Sequence, residues 1–292
     1  MSDITMSGVV VKRQITATGK KKSRGLATDA VILYALLIIV ICIPLMAILA
    51  PWVTPYDPAK QNLKERLVSP SLAHPFGTDQ FGRDTFSRVL WGARTTLTIS
   101  TLSILIAGSL GGLVGMLAGY KGGFLDDGVK SAVDVLMAFP TLLLGLMVLA
   151  TLGPGTYNLI IAASLAFLPR FIRITRNITL SIRENEFILG AKVIGARDLR
   201  IVVLHVLPNL RDELTMVSVL WLAQAITMEA GLSFLGVGVQ PPTASWGLMI
   251  REGYNFLYAT PWAAFFPGMS ITFYILLLSL LSDRIQARNK HA

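Results

Sequence analysis

Thirty-five consecutive residues, Val135 to Pro169, carry no charged side chain. A helix needs about 20 apolar residues to cross a hydrocarbon core of about 30 Å. A run of this length therefore suits two crossings that fold back on each other. Gly153-Pro154-Gly155 supplies the turn, and the run reads as a helical hairpin with one span up to Thr151 and a second from Thr156. Four further runs have the required length. Ala30 to Ala50 and Thr95 to Tyr120 are uncharged, Leu214 to Leu235 is apolar apart from Glu229, and Pro261 to Ser282 is uncharged again. The expected fold is all-α: a polytopic membrane protein with six transmembrane helices. Composition agrees, since only 15% of residues are charged and mean hydropathy is +0.61, whereas a soluble domain carries about 25% charged residues. Disorder is excluded by the same numbers. The one cysteine, Cys42, lies in an apolar run, which leaves no internal disulfide and no zinc site built on several thiolates.

The net charge of +9 is informative through its location. Six basic residues precede the first apolar run, Lys20-Lys21-Lys22 among them. That run is longer than the core of a secretion signal and is followed by Pro51, so it reads as a retained span with a cytoplasmic N-terminus. On this assignment the inside segments hold 19 Lys and Arg residues and the outside segments seven, the bias that sets orientation in a membrane. The charge is a topology signal, and no nucleic-acid partner is expected. The chain divides into a cytoplasmic tail (1–29), a first transmembrane helix with an extracytoplasmic segment (30–94), a five-helix core (95–282) with a cytoplasmic loop at about 183–209, and a second cytoplasmic tail (283–292).

Within the second span, Gly108 and Gly112 are four residues apart, as are Gly111, Gly115 and Gly119. Small residues at this spacing let helix backbones approach closely in lipid, and helix packing is the expected role. The loop from Arg170 to about Arg211 is the most charged part of the chain, with eight basic residues. It shows helical periodicity in two pieces. Phe187, Ala191 and Ile194 share one face, Gly195 ends the first piece, and Leu199, Val202, Val203 and Val206 share a face of the second. Pro208-Asn209 is expected to stop it before span five. Such an element is either a docking helix or one lying on the membrane surface.

Chemistry-bearing residues are sparse. Arg83 and Asp84, which follow Gly82 and precede Arg88 in the outer segment, read as solvated interfacial charge, with paired charges that hold the outer loop together or meet a partner protein as the alternative. Glu229 lies in or near the outer end of span five, as a cavity-facing pathway carboxylate or a hydrogen-bonded structural acid. His74, His205 and His291 fall in separate loops and tails without metal-ligand spacing. No nucleophile–base pair or carboxylate pair is found, so no catalytic residue and no metal site is assigned. No P-loop is present: the nearest approach, at Gly19-Lys20, has Gln14 where the first glycine is needed and Lys21 where Ser or Thr is needed. A chain that cannot bind ATP this way must take any energy it uses from a partner or an ion gradient.

The run from Glu186 through Phe187, Gly190, Ala191, Lys192 and Gly195 to Ala196, followed by His205-Val206-Leu207-Pro208-Asn209, resembles the EAA loop of ABC-importer permeases. Gly195 matches that family's most telling position, and Gly190 departs from it by replacing an alanine. Trp52 to Pro58 (WVTPYDP), Phe76 to Arg88 (FGTDQFGRDTFSR), Asp134 to Pro140 (DVLMAFP) and Glu229 to Gly247 (EAGLSFLGVGVQPPTASWG) are similar to the C-type permease subunit of the dipeptide, oligopeptide, nickel and glutathione importers. The tail after Asp283 departs, with Arg284-Ile285-Gln286-Ala287-Arg288 where the family continues with an acidic, leucine-containing segment. The resemblance implies the ABC type I importer permease fold in a bacterial inner membrane, with both termini cytoplasmic. It implies a coupling helix seated in a cleft of an ATPase. The implied partners are a homologous B-type permease, two ABC ATPase subunits that bind ATP and Mg, and an extracytoplasmic substrate-binding protein. This chain would bind no cofactor itself. Di- or oligopeptides are the expected cargo, with nickel and glutathione as alternatives and an ion-driven carrier as the reading from another class.

Overall fold

The computed structural model describes residues 31–289; the tail expected over 1–29 and the last three residues lie outside them. The described residues form eleven α-helices in chain order: α1 Val31–Ile48, α2 Ala50–Val53, α3 Thr85–Lys121, α4 Gly123–Met137, α5 Thr141–Leu152, α6 Thr156–Arg183, α7 Glu186–Val193, α8 Asp198–Ile201, α9 Leu207–Leu235, α10 Trp246–Tyr254 and α11 Trp262–Asn289. Five helical stretches are long and apolar enough to cross a membrane, and the bent pair α4–α5 makes a sixth.

Four boundaries differ from the sequence expectation, each for a local reason. The third crossing is not one straight span from Val135 to Thr151. Helix α4 begins at Gly123, and its axis meets that of α5 at 92°. Pro140 has no N–H to continue the α4 ladder and disfavours a helical Phe139. The 12-residue α5 is only about 18 Å long, short of a full bilayer core.

The second crossing starts early. Asp84 caps α3, its carboxylate accepting from Ser87 N–H at 2.7 Å, so the helix begins ten residues before the expected Thr95. The fourth crossing ends late, because α6 runs through Pro169 to Arg183. Pro169 removes one ladder bond, and the arginines beyond it hold the helix to its neighbours, as described below. Finally, Pro208 does not stop the loop helix. The chain is helical from Asp198 to Leu235, with a π-helical turn at Val202–Val206 in which Leu207 N–H bonds Val202 C=O. The wider turn places Pro208 in the first turn of α9, where a missing N–H costs little.

Helices α3, α5, α6 and α9 enclose the main core around Ile104, Phe167, Phe171, Ala225 and Leu232. A second core joins α1 and α11 to α3 and α9 through Val40, Tyr274, Ile226 and Trp246. Helix α1 contributes a single stripe, Leu33, Val40 and Ala47, at seven-residue intervals, while Val31, Ile38 and Ile48 on its other side are exposed. An apolar outside of this kind is expected where lipid or another helix replaces water.

Candidate functional site

Helix α7 is built to stand apart from α6. Asn185 turns extended (ψ 145°) after α6, and Glu186 places a carboxylate in the first turn of α7, where the helix dipole favours it. Gly195, at φ +79°, lets the chain reverse, and Ala196 N–H then bonds Ala191 C=O at 3.0 Å, closing the helix with a Schellman motif. Ile188 and Ala191 are buried. With Ile201, Val202, Val206 and Leu210 they pack on Met116 and Tyr120 of α3 and Ile182 of α6. Tyr120 donates to Asp198 at 2.8 Å, and the Lys192 ammonium sits 5.3 Å from the Tyr120 ring centroid.

Of Phe187, Ala191 and Ile194, which share one face by periodicity, only Ala191 is buried. Phe187 and Ile194 are exposed, and the stripe runs through Ile188 instead. In the following piece Val202 and Val206 are buried as expected, but Leu199 and Val203 are exposed and Ile201 takes their place. The difference has one cause: the α6 and α3 ends lie on the Ile188 side. It leaves Val193 89%, Ile194 85% and Leu199 74% exposed. Glu186, Lys192, Gly190 and Gly195 are also exposed, and Ala196 is half-buried. A Cβ added at Gly190 or Gly195 would meet nothing within 4 Å. Packing inside this chain therefore demands no small residue at either position.

At the opposite end, residues 54–84 fold into a cap. Thr78 N–H bonds Val68 C=O and Leu67 N–H bonds Asp79 C=O, both at 3.0 Å. Gly82, at φ +69°, passes so close to Asn62 that a Cβ would lie 1.8 Å from its carbonyl oxygen. Arg83, Asp84 and Arg88 are buried to 3%, 3% and 1% exposure, which overturns the reading of solvated charge in favour of its alternative, paired charges that hold the outer loop together. Arg83 pairs with Asp79 at 2.6 Å, and both Arg83 and Arg88 donate to Glu252 Oε2 of α10 at 2.8 Å. Asp84 Oδ1 lies 2.9 Å from His74 Nδ1. Trp246 donates its indole N–H to Val89 C=O at 2.9 Å and pins α10 to α3. Glu252 carries no local sequence signal, because its partners lie 164 and 169 residues away.

Glu229 also lies towards this end, 22 residues along α9 and far from α7. It is fully buried. Its Oε1 accepts from Ser233 Oγ at 2.8 Å. Thr96 and Ser245 interact with the same carboxylate, although Oε2 takes no hydrogen bond of normal geometry. Those hydroxyls accept in turn from Trp246 and Leu248 N–H. The acid thus sits in a knot of hydroxyls joining α9, α3 and α10.

Gly108, Gly111, Gly115 and Gly119 of α3 face α6. A Cβ would fall 2.6 Å from Phe171 Cβ at Gly111, 2.4 Å from Ile172 O at Gly115 and 2.7 Å from Arg176 O at Gly119. Gly108 faces the Phe171 ring at 3.3 Å, while at Gly112 the nearest atom, of Leu214, is 3.8 Å away. On its other side, α6 carries Arg170, Arg173 and Arg176 at intervals of three. Arg176 binds Asp126 of α4 through both oxygens, at 2.5 and 2.6 Å, and Arg173 pairs with Asp134 of α4. Arg170 reaches Thr141 of α5 at 2.6 Å and Gln224 of α9. Their spacing was a readable sign of one helix face, but the carboxylates they find depend on the α4–α5 bend. Among the described residues, no group of three or more His, Cys, Asp or Glu side chains is placed to hold a metal ion.

Comparison with known proteins adds the following. Residues 111–290 match the family model described as binding-protein-dependent transport system inner membrane component, and residues 34–74 match the N-terminal TM domain of oligopeptide transport permease C. A putative peptide transport system permease protein of Brucella suis is 39% identical over 86% of this chain and 84% of its own length. The dipeptide transport system permease protein DppC of Alkalihalophilus pseudofirmus is 38% identical over 86% and 82%. The nickel transport system permease protein NikC of Escherichia coli is 34% identical over 86% and 90%. Among solved structures, a chain of the MetNI methionine ABC transporter, in an inward-facing conformation, superposes with a TM-score of 0.56 at 18% identity, covering 68% of this chain and 95% of that one.

Proposed function

Because the chain belongs to the family of binding-protein-dependent transport system inner membrane components, a family of multi-pass permease subunits of ABC importers, we propose that it is the C-type permease of an importer for di- or oligopeptides. Relatives named for peptide and dipeptide transport support that cargo. A relative named for nickel transport keeps the metal as the second reading. The chain would form the pathway with a homologous B-type permease, and a binding protein would deliver solute to the cap. Two ATPases would hydrolyse ATP with Mg on the other side, and this chain would be non-catalytic. Both termini would face the cytoplasm.

The observation that carries the mechanism is the two-sided character of α7. One face is packed into α3, α6 and α9, so a push on α7 reaches the spans. The other exposes Val193, Ile194 and the small Gly190, an apolar surface of the kind that marks a protein contact. Seating of α7 in an ATPase cleft would move it as the ATPases close. The permease pair would switch between inward- and outward-facing states because the ATPase contacts the two states differently. Glu229, held among hydroxyls, would act as a structural acid.

Gentle detergent extraction with mass spectrometry tests the assembly: a second permease and two ATPases are expected to accompany the chain. Recovery of the chain alone, under conditions that keep a known importer whole, would move the assignment to an ion-driven carrier. Gly195→Glu is expected to abolish ATP-driven uptake in an assembled, well-expressed complex, and unchanged uptake would remove α7 from the mechanism.

A further inference from the structure

Of the three arginines on one face of α6, two have carboxylate partners and one does not. Arg176 pairs with Asp126 and Arg173 with Asp134. Arg170 is bonded to two neutral groups, Thr141 and Gln224, and makes no ion pair among the described residues. It is also the deepest of the three. It lies 14 residues along α6 from the Gly153-Pro154-Gly155 turn, about 21 Å by helix rise. An unneutralised guanidinium at that depth is costly in lipid, and such residues face water-filled cavities and mark the paths of solutes.

The surroundings of Arg170 fit this. A cavity of about 260 Å³, lined by Phe139, Pro140, Thr141, Ala166 and Arg170, opens at the α4–α5 bend. A second, of about 360 Å³, is lined by Thr141, Phe167, Gln224, Thr227 and Met228. The two share Thr141, and the hydrogen bonds of Arg170 reach the walls of both. Its guanidinium carbon also lies 5.5 Å from the Phe167 ring centroid, which leaves the planar fork supported from one side. A guanidinium so placed offers donors that suit a carboxylate in two-point geometry, and Thr141 and Gln224 add neutral polar groups beside it.

We propose that Arg170, Thr141 and Gln224 form an anion-binding station midway along the groove between α5, α6 and α9, which receives the carboxylate of a passing solute. The inference rests on the importer reading and sharpens it. A carboxylate-bearing solute such as a peptide is favoured at this point, whereas a bare divalent cation is repelled.

The test separates the station from the cargo. In the assembled complex, with Cys42→Ala and Thr227→Cys, which lines the second cavity beside the station, an anionic sulfonate thiol reagent is expected to modify Cys faster than its quaternary-ammonium counterpart. Adding Arg170→Gln is expected to collapse that ratio about tenfold, the scale of one charged hydrogen bond, while Arg170→Lys preserves the preference. A ratio unaffected by Arg170→Gln, or no reaction with either reagent, overturns the station whatever the cargo is. In proteoliposomes, Arg170→Gln is expected to lower ATP-driven uptake of trialanine about tenfold and uptake of trialanine amide far less. Equal losses for both peptides would make Arg170 a structural residue and overturn the proposal. If the parent complex carries neither peptide, the peptide reading falls, and the reagent ratio alone decides the station.

Discussion

The cap and the α7 end depart from ordinary burial in opposite directions. In the cap, charge is inside: Arg83, Arg88, Asp79 and Asp84 are buried, and Glu252 serves two guanidiniums at once. At the α7 end, hydrocarbon is outside: Val193, Ile194 and Leu199 stand in the open. The cap pairs its buried charges within this chain. The α7 end has exposed apolar surface that only another surface could cover. One end is therefore built for fixity and the other for contact, and substitutions at each should fail in different ways.

The largest effect is expected at the cap. Glu252→Ala leaves two buried guanidiniums short of a partner and should cost about 3–5 kcal/mol, read as faster amide exchange over residues 58–88 and a lower unfolding midpoint in detergent. Unchanged exchange there would show that the cap is held by its backbone alone. Next comes the seam that joins the two ends. Gly115→Ala presses a methyl group onto Ile172 O and Arg176 N, both backbone atoms, and should cost about 1–3 kcal/mol. Gly112→Ala, three residues earlier and buried but with Leu214 3.8 Å from an added Cβ, should stay within about 1 kcal/mol of the parent and lean towards greater stability. Equal losses would mean that the seam is looser than its distances. The smallest effect on stability is expected at α7. Val193→Glu should leave the unfolding midpoint within about 0.5 kcal/mol of the parent, yet reduce recovery of ATPase subunits tenfold or more. A destabilised chain, or full recovery of ATPase, would each break the contrast between the ends.

The crossings and the resemblance were legible because lipid imposes a one-dimensional rule, a charge-free length, and because the motifs are contiguous. Features that depend on a partner distant in sequence are harder to read. Asp79, four residues before Arg83, is a partner that the sequence offers locally, whereas nothing near Arg83 and Arg88 announces Glu252. Which stripe of α7 is buried is not fixed by sequence, because the choice between Phe187 and Ile188 is made by the ends of α3 and α6, and both periodicities exist in the sequence. The prolines act differently from one another. Pro140 does break a helix, but Pro169 lies within one that arginine pairs hold together. Pro208 is absorbed by a π-helical turn whose wider ladder has no signature in residue types. The positions of Glu186, Gly190, Lys192 and Gly195 on an exposed short helix could be read from sequence, whereas the isolation of Arg170 from any acid could not.

Helix α3 runs unbroken from the Asp84 cap, inside the charged cluster, to Tyr120, which holds Asp198 beside α7. Its 37 residues span about 55 Å. A stiff rod of that length is a lever: a tilt of about 5° about one end carries the other by about 5 Å, roughly one helical turn. Small angular work done at α7 can thus arrive at the cap as a displacement large enough to open or close a passage, with no signal handed from residue to residue along the way.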